Sequence, residues 1–166
     1  MAESHLDRRR IEAEFAKGIF DTLATEIGRE RAVEILTKAV IQMAEGAGKA
    51  FASGAEDRRA DLLAFAEILP VWQKNEALSI DMKRRETESL DFNVTRCRYA
   101  EMYRELGIEE LGSVLSCNRD AAFCNGFNPE IQLTRTQTIM GGADHCDFRF
   151  SLPKKMKTTE DLLANK

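Results

Sequence analysis

The sequence predicts an α+β fold: an N-terminal helical layer packed on a four-stranded antiparallel sheet with two inserted helices. Two observations carry this prediction. Through roughly the first 70 residues, apolar side chains recur every three to four positions. From Leu78 onward, several stretches alternate apolar and polar residues with a period of two. No longer internal repeat is visible.

Ile11, Phe15, Ile19, Phe20 and Leu23 form a helical stripe, which predicts an amphipathic helix over 6–27 with Gly28 as its stop. Ala32, Ile35, Leu36, Ala39, Val40 and Met43 predict a second helix over 29–53. Its run Ala44-Glu45-Gly46-Ala47-Gly48 suits close helix packing. A third helix is predicted over 56–69, stopped by Pro70. Leu78, Ile80 and Met82 alternate with Ser79 and Asp81, and Leu90, Phe92 and Val94 alternate with Asp91 and Asn93. These are two half-buried strands joined as a hairpin by the charged stretch 83–89. A helix over 97–106 ends at Gly107, a short helix or turn spans 109–115, and another helix runs over 118–126. Strands follow at 131–139 and 145–152, joined by the turn 140–144. The expected organisation is one domain, 1–152, and a charged tail, 153–166, in which Leu162 and Leu163 are suited to docking.

Composition excludes several functions. The chain has 166 residues, 43% hydrophobic and 31% charged, ordinary for a globular protein and too apolar for a disordered one. Its net charge is −4, from 24 basic and 28 acidic residues, which argues against a nucleic-acid partner. The short basic clusters at 8–10 and 84–85 have acidic neighbours. No apolar run reaches the ~20 residues needed to span a bilayer, so no membrane partner is expected. The polar start lacks the apolar stretch of a secretory signal, and a cytoplasmic location is expected. There is no phosphate-binding glycine loop and no nucleophile elbow, which argues against nucleotide-dependent and α/β-hydrolase chemistry.

The four cysteines are Cys97, Cys117, Cys124 and Cys146. In the expected compartment they are thiols. No C-x-x-C or H-x-x-x-H spacing signals a structural zinc site. Cys97 falls where a strand hands over to a helix, where amides favour a thiolate, with Arg96 and Arg98 beside it and Glu101 one turn on. It equally suits a small buried apolar position. On a helix, Cys117, Asp120 and Cys124 share a face. Asp120 there either accepts the thiol proton or caps Ala121-Ala122-Phe123, and both readings stand. Cys146 is in register with Phe148 and Phe150, as core packing or as the floor of a pocket. His145 is either an acid–base group or a surface residue.

Read together, an ordered set of motifs resembles the L-2-amino-thiazoline-4-carboxylic acid hydrolase family. It comprises Cys97-Arg98-Tyr99-Ala100-Glu101, Gly107, Glu110-Leu111-Gly112, Cys117-Asn118-Arg119-Asp120, Leu133-Thr134-Arg135-Thr136-Gln137-Thr138 and Gly142-Ala143-Asp144-His145-Cys146-Asp147-Phe148. The match covers about 91–150, with a looser helical match upstream. The resemblance implies a ring-opening hydrolase acting on a small cyclic amidine or amide, with a small-molecule substrate as its partner. A homo-oligomer is compatible with it. It implies Cys117 as nucleophile and Asp120 as its proton partner, with Cys97, Cys146 and His145 completing the pocket. Arg98 or Arg135 would pair with a substrate carboxylate, and Glu101 and Thr138 complete the substrate-binding set. No cofactor is expected. The closing hairpin also resembles vinyl-reductase-type small-molecule-binding domains, which implies a non-catalytic binding domain as the rival. A third reading gathers zinc on Cys97, Cys117 and Cys146 with Asp120 or His145.

Overall fold

The computed structural model describes residues 4–54 and 60–153. Helix α1 (His5–Ile27) begins at a capping box. Ser4 Oγ accepts from the Asp7 amide at 3.1 Å, and the Ser4 amide donates to Asp7 Oδ2 at 3.2 Å. It ends at Gly28, whose φ of 85° side-chain-bearing residues rarely adopt. The Gly28 carbonyl accepts from Ala32 and starts α2 (Arg29–Ser53) directly.

The apolar stripe expected to bury α1 is largely turned outward. Ile11 is 59% exposed and Phe15 73%, whereas Ala13 and Phe20 are buried. The inward line runs through His5, Arg9, Ala13 and Phe20. Alanines let α1 approach its neighbours, and the two polar residues are accommodated because that part of the face borders a cavity.

The chain then coils through α3 (Leu62–Phe65), a 3₁₀ turn and α4 (Leu69–Gln73). Asp61 caps the start, its Oδ1 accepting from the Leu63 and Ala64 amides at 3.0 Å. Pro70 does not stop a helix here. It occupies the first turn of α4, where a missing amide hydrogen costs nothing. Residues 56–59 of the helix expected at 56–69, and the tail beyond Pro153 with Leu162 and Leu163, lie outside the described residues.

Strands β1 (Leu78–Arg85) and β2 (Ser89–Cys97) form the expected hairpin, with a shorter turn than the charge pattern suggested. Between β2 and the closing strands come α5 (Arg98–Glu105) and one continuous helical rod. That rod consists of α6 (Glu109–Gly112), a π turn (Ser113–Cys117) and α7 (Asn118–Phe127). Strands β3 (Gln132–Thr134) and β4 (Cys146–Ser151) complete an antiparallel sheet ordered β1-β2-β4-β3. This is the predicted α+β architecture.

The strand expected over 131–139 pairs only at 132–134. Beyond it, the amides of Thr136 and Gln137 each donate to Asp147 Oδ1 at 2.9 Å, and Thr136 Oγ1 donates to Oδ2 at 2.6 Å. The Asp147 carboxylate thus replaces ladder bonds and folds the segment over the sheet edge.

Two apolar clusters build the core. In one, the inner sheet face meets the helices: Leu90, Phe92, Val94, Phe148 and Phe150 pack on Leu62, Phe65, Cys124 and Phe127. The other lies between helices, where Phe20, Leu36, Val40, Met102, Tyr103, Leu111 and Leu115 meet.

Helices α2 and α7 approach through glycines. A Cβ on Gly48 would stand 2.1 Å from the Phe123 carbonyl oxygen, and one on Gly126 would stand 2.1 Å from the Glu45 carbonyl oxygen. Only hydrogen fits at either position. Gly126→Ala is therefore expected to destabilise the protein by about 1–3 kcal/mol, read as a lower urea midpoint. Gly46→Ala, with open space around its Cβ, is the control and should be neutral or mildly stabilising.

Candidate functional site

A cavity of about 150 Å³ opens between the sheet and the helical layer, and most of its wall is apolar. Its floor is the inner sheet face: Phe92 and Val94 from β2, and Cys146 and Phe148 from β4. Phe92 and Phe148 stack there with centroids 4.9 Å apart. Ala44 and Ala47 of α2 form part of the wall, and their small side chains leave the space open. Trp72, Phe123 and Met140 supply bulk around the rim.

Cys97, Cys117 and Cys146 all line this one cavity, although 49 positions separate the first from the last. Cys97 arrives as the last residue of β2 and the cap position of α5. Cys117 ends the π turn, a locally widened helix of the kind often found at functional sites. Cys146 opens β4, where its Sγ accepts from the Ile139 amide at 3.2 Å. All four cysteines are free, and Cys124 packs in the apolar core beside Phe127 instead of joining the site.

Asp120 and Arg135 supply the facing charges. Asp120 Oδ2 accepts from Arg135 Nη1 at 2.5 Å, and Arg135 Nη2 donates to the Cys117 carbonyl at 3.1 Å. The Arg135 guanidinium also lies 4.8 Å from the Phe148 ring centroid. Asp120 makes no helix-capping bond. Its carboxylate belongs to the cavity.

Burial decides the ionisation of the site. It pushes the Cys117 thiol up to about 12, helped by the negative Asp120 and opposed by Arg135. It raises Cys97 to about 11 against the pull of the Ala100 and Tyr99 amides, so the helix start does not win the thiolate that its position suggested. Burial also raises Asp120, while Arg135 holds it down.

Other expected site residues lie outside the cavity lining. Arg98 Nη1 donates to the Asn75 carbonyl at 2.8 Å. Glu101 takes both nitrogens of Arg96, at 2.8 and 3.1 Å, on the surface. Thr138 Oγ1 accepts from the Gly141 amide at 3.0 Å, capping a short turn. His145 pairs with Asp144 at 2.6 Å and meets the Gln137 side chain. For zinc, no three His, Cys, Asp or Glu side chains among the described residues come together as a ligand set. Asp120 is moreover engaged by a guanidinium. The donor groups do not fit the metal reading.

The structure adds residues that spacing did not reveal: His5 and Arg9 from α1, Tyr99 from α5, Ser116 from the π turn and Arg119 from α7. Tyr99 Oη donates to the Trp72 carbonyl at 3.2 Å. His5 is held neutral, its pKa lowered to about 4 by burial and then by Arg9. Unfolded, it would titrate near 6.5 and bind a proton that the folded state refuses down to about 4. This group's contribution is therefore intact above pH 6.5 and is lost as pH falls toward 4. The urea midpoint of the wild type is expected to fall more steeply than that of His5→Gln across that window.

Fold and site together define an α+β domain whose sheet and helices enclose a small, mostly apolar cavity carrying three thiols and a carboxylate–guanidinium pair. The sequence profile of the family described as L-2-amino-thiazoline-4-carboxylic acid hydrolase matches residues 8–150, and the chain belongs to that family. No curated protein matches the chain. Among solved structures, the phenol-responsive sensory domain of the transcription activator PoxR, crystallised with phenol, is similar at 12% identity. That match covers 99% of this chain and 82% of that one, with a TM-score of 0.53. A trafficking protein particle complex subunit 3 from Naegleria fowleri, covalently bound to palmitic acid, is similar at 9% identity. It covers 91% of this chain and 98% of that one, with a TM-score of 0.52. At these identities the two structures share the fold. Among the described residues, no helix is long and apolar enough to cross a membrane.

Proposed function

We propose that the protein is a hydrolase that opens a small cyclic amidine or amide ring, thiazoline-like in the family's sense, with Cys117 as nucleophile and Asp120 as its proton acceptor. The observation that carries this reading is the convergence of Cys117 and Asp120, with Cys97 and Cys146, on one small cavity in a chain of this family.

In the free protein Cys117 is a thiol, so attack requires its proton to leave. A protonated amidine seated beside Sγ lowers the thiol's pKa by the same Coulombic rule through which Asp120 raises it. Sγ then bonds to the amidine carbon as the proton passes to Asp120. The ring carbon–sulfur bond breaks next, and the departing ring sulfur takes that proton as a thiol. Water adds to the same carbon, the bond to Cys117 breaks, and Cys117 recovers a proton. The net change is one water added and one carbon–sulfur bond opened. Arg135 fixes Asp120 and, through the Cys117 carbonyl, the turn that carries the nucleophile.

The test is incubation with L-2-amino-thiazoline-4-carboxylic acid, following release of free thiol and the carbamoyl carbon by NMR. One thiol per ring consumed is expected. A second reading, a non-catalytic small-molecule-binding domain, draws on the apolar wall and the raised thiol pKa values. It is also the kind of role named for the PoxR sensory domain. Ligand binding without thiol release would favour it and overturn the hydrolase.

A further inference from the structure

Helix α1 turns an apolar stripe to the outside. Phe15 is 73% exposed, the most of any large apolar side chain among the described residues, with Ile11 at 59% and Ile19 at 39%. Ile11 and Ile19 each stand four residues from Phe15, so the three share one face of the helix. A contiguous exposed apolar patch of this kind marks a contact surface. The opposite face of the same helix carries His5 and Arg9 to the cavity wall.

The stripe is complementary to itself. It reads the same in both directions from Phe15, so a twofold axis there lays Ile11 of one copy on Ile19 of the other. Its charges invert about the same centre. Exposed Arg8 precedes the stripe and exposed Glu26 follows it, both within about 20° of Phe15 around the helix. An antiparallel pair sets Arg8 opposite Thr22 of the second copy, one turn from Glu26. Side chains lean toward the N-terminus of their own helix, which brings these two charges together.

Gly18 points the same way. Glycine is a poor helix former, and within this chain nothing accounts for it at that position. Its φ is not left-handed, and no atom lies within 4 Å of the place a Cβ would occupy. It is exposed beside Phe15, one turn toward the C-terminus. In the antiparallel pair the Phe15 ring of the second copy leans over this notch.

We propose that the outer face of α1 is a homodimer interface, in which α1 packs antiparallel on α1 of a second copy of this chain about a twofold axis at Phe15. Phe15 is its apolar anchor, Gly18 the notch that receives the facing ring, and Arg8 and Glu26 the charges that fix the direction. This interface is independent of the ring chemistry, and its tests need no substrate.

Sedimentation equilibrium of the full chain over about 1–100 μM, the weak end of specific association, reads the assembly directly. The wild type is expected to interconvert between monomer and dimer. Phe15→Glu should raise the dissociation constant at least ~30-fold, the scale of an interfacial hot spot, with the urea midpoint of the monomer unchanged. Gly18→Gln fills the notch and should weaken the dimer by about 5–100-fold, while its better helix propensity raises the monomer's urea midpoint. A damaged fold would not produce that combination. Arg8→Glu and Glu26→Arg should each weaken the dimer by about 3–30-fold, and together they should restore it. A wild type that stays monomeric throughout, a dimer indifferent to Phe15→Glu, or a double charge reversal no tighter than either single one would overturn the proposal. A chain that dimerises only once residues 154–166 are removed would assign the face to that tail. A monomer that co-sediments with phosphatidylserine vesicles through Phe15 would assign it to a lipid surface. Either result also overturns the proposal.

Discussion

Cys117→Ser is expected to lower turnover of a ring substrate by roughly 10⁴-fold, the scale on which losing a catalytic nucleophile acts. The unfolding free energy should stay within about 0.5 kcal/mol of the wild type. Serine nearly matches the thiol in size, and the side chain borders open space in the cavity. The hydroxyl is a weak nucleophile without a strong adjacent base, and the bases that line the cavity are weak ones: Asp120 is held by Arg135, and the pKa of His5 is lowered to about 4. Cys97→Ser and Cys146→Ser should cost far less, on the order of 10-fold, if those thiols shape the wall without attacking. Steady-state kinetics on the three variants decides which thiol reacts. A Cys117→Ser enzyme close to the wild-type rate assigns the chemistry elsewhere.

Asp120→Asn is expected to slow turnover by about 10²–10⁴-fold, the usual worth of a positioned proton acceptor. Its pH dependence separates this role from a structural one. Asp120 must be ionised to accept the proton, and burial raises its pKa above the ordinary carboxylate value of 3.8. The wild-type rate should therefore fall on acidification through that raised value, and Asp120→Asn should lack this limb. Arg135→Gln removes the cation that opposes burial, so the same limb should move to higher pH. Both substitutions also leave a partner unpaired. The two side chains are 22% and 15% exposed, so solvent screening holds the stability loss to roughly 1–3 kcal/mol. An acid limb that persists unchanged in Asp120→Asn would assign it to another group.

Much of the fold was legible because its cues are local. Gly28 ends α1, Gly107 ends α5, and the alternation at Leu90, Phe92 and Val94 reports a strand with one buried face. The inward face of α1 was not legible. There, small alanines at the helix contacts and polar residues at a cavity reverse the usual sign of the apolar stripe, leaving Phe15 outside and Arg9 inside. The end of β3 was hidden for a related reason. Ile131, Leu133 and Ile139 share one phase, but Arg135 and Gln137 interrupt it, and the Asp147 carboxylate satisfies the amides of Thr136 and Gln137 that a ladder would have paired.

At the site, Cys97, Cys117 and Cys146 stand out at element ends and Asp120 by sharing a helix face with Cys117, whereas Arg135 enters only through the family resemblance. Their convergence depends on tertiary packing that no local spacing encodes. His145 and Glu101 look equally suitable, but His145 pairs with Asp144 ahead of β4 and Glu101 pairs with Arg96, so neither lines the cavity. The thiolate expected at Cys97 fails because desolvation outweighs the amides at the helix start.

Covalent attack by Cys117 is tested most directly by rapid quenching of the wild-type enzyme during turnover, followed by intact-mass measurement and peptide mapping. The prediction is a transient species heavier by one substrate, with the added mass on the peptide carrying Cys117 and absent from Cys117→Ser. Complete turnover with the protein mass unchanged throughout, and with Cys117→Ser still active, would contradict it.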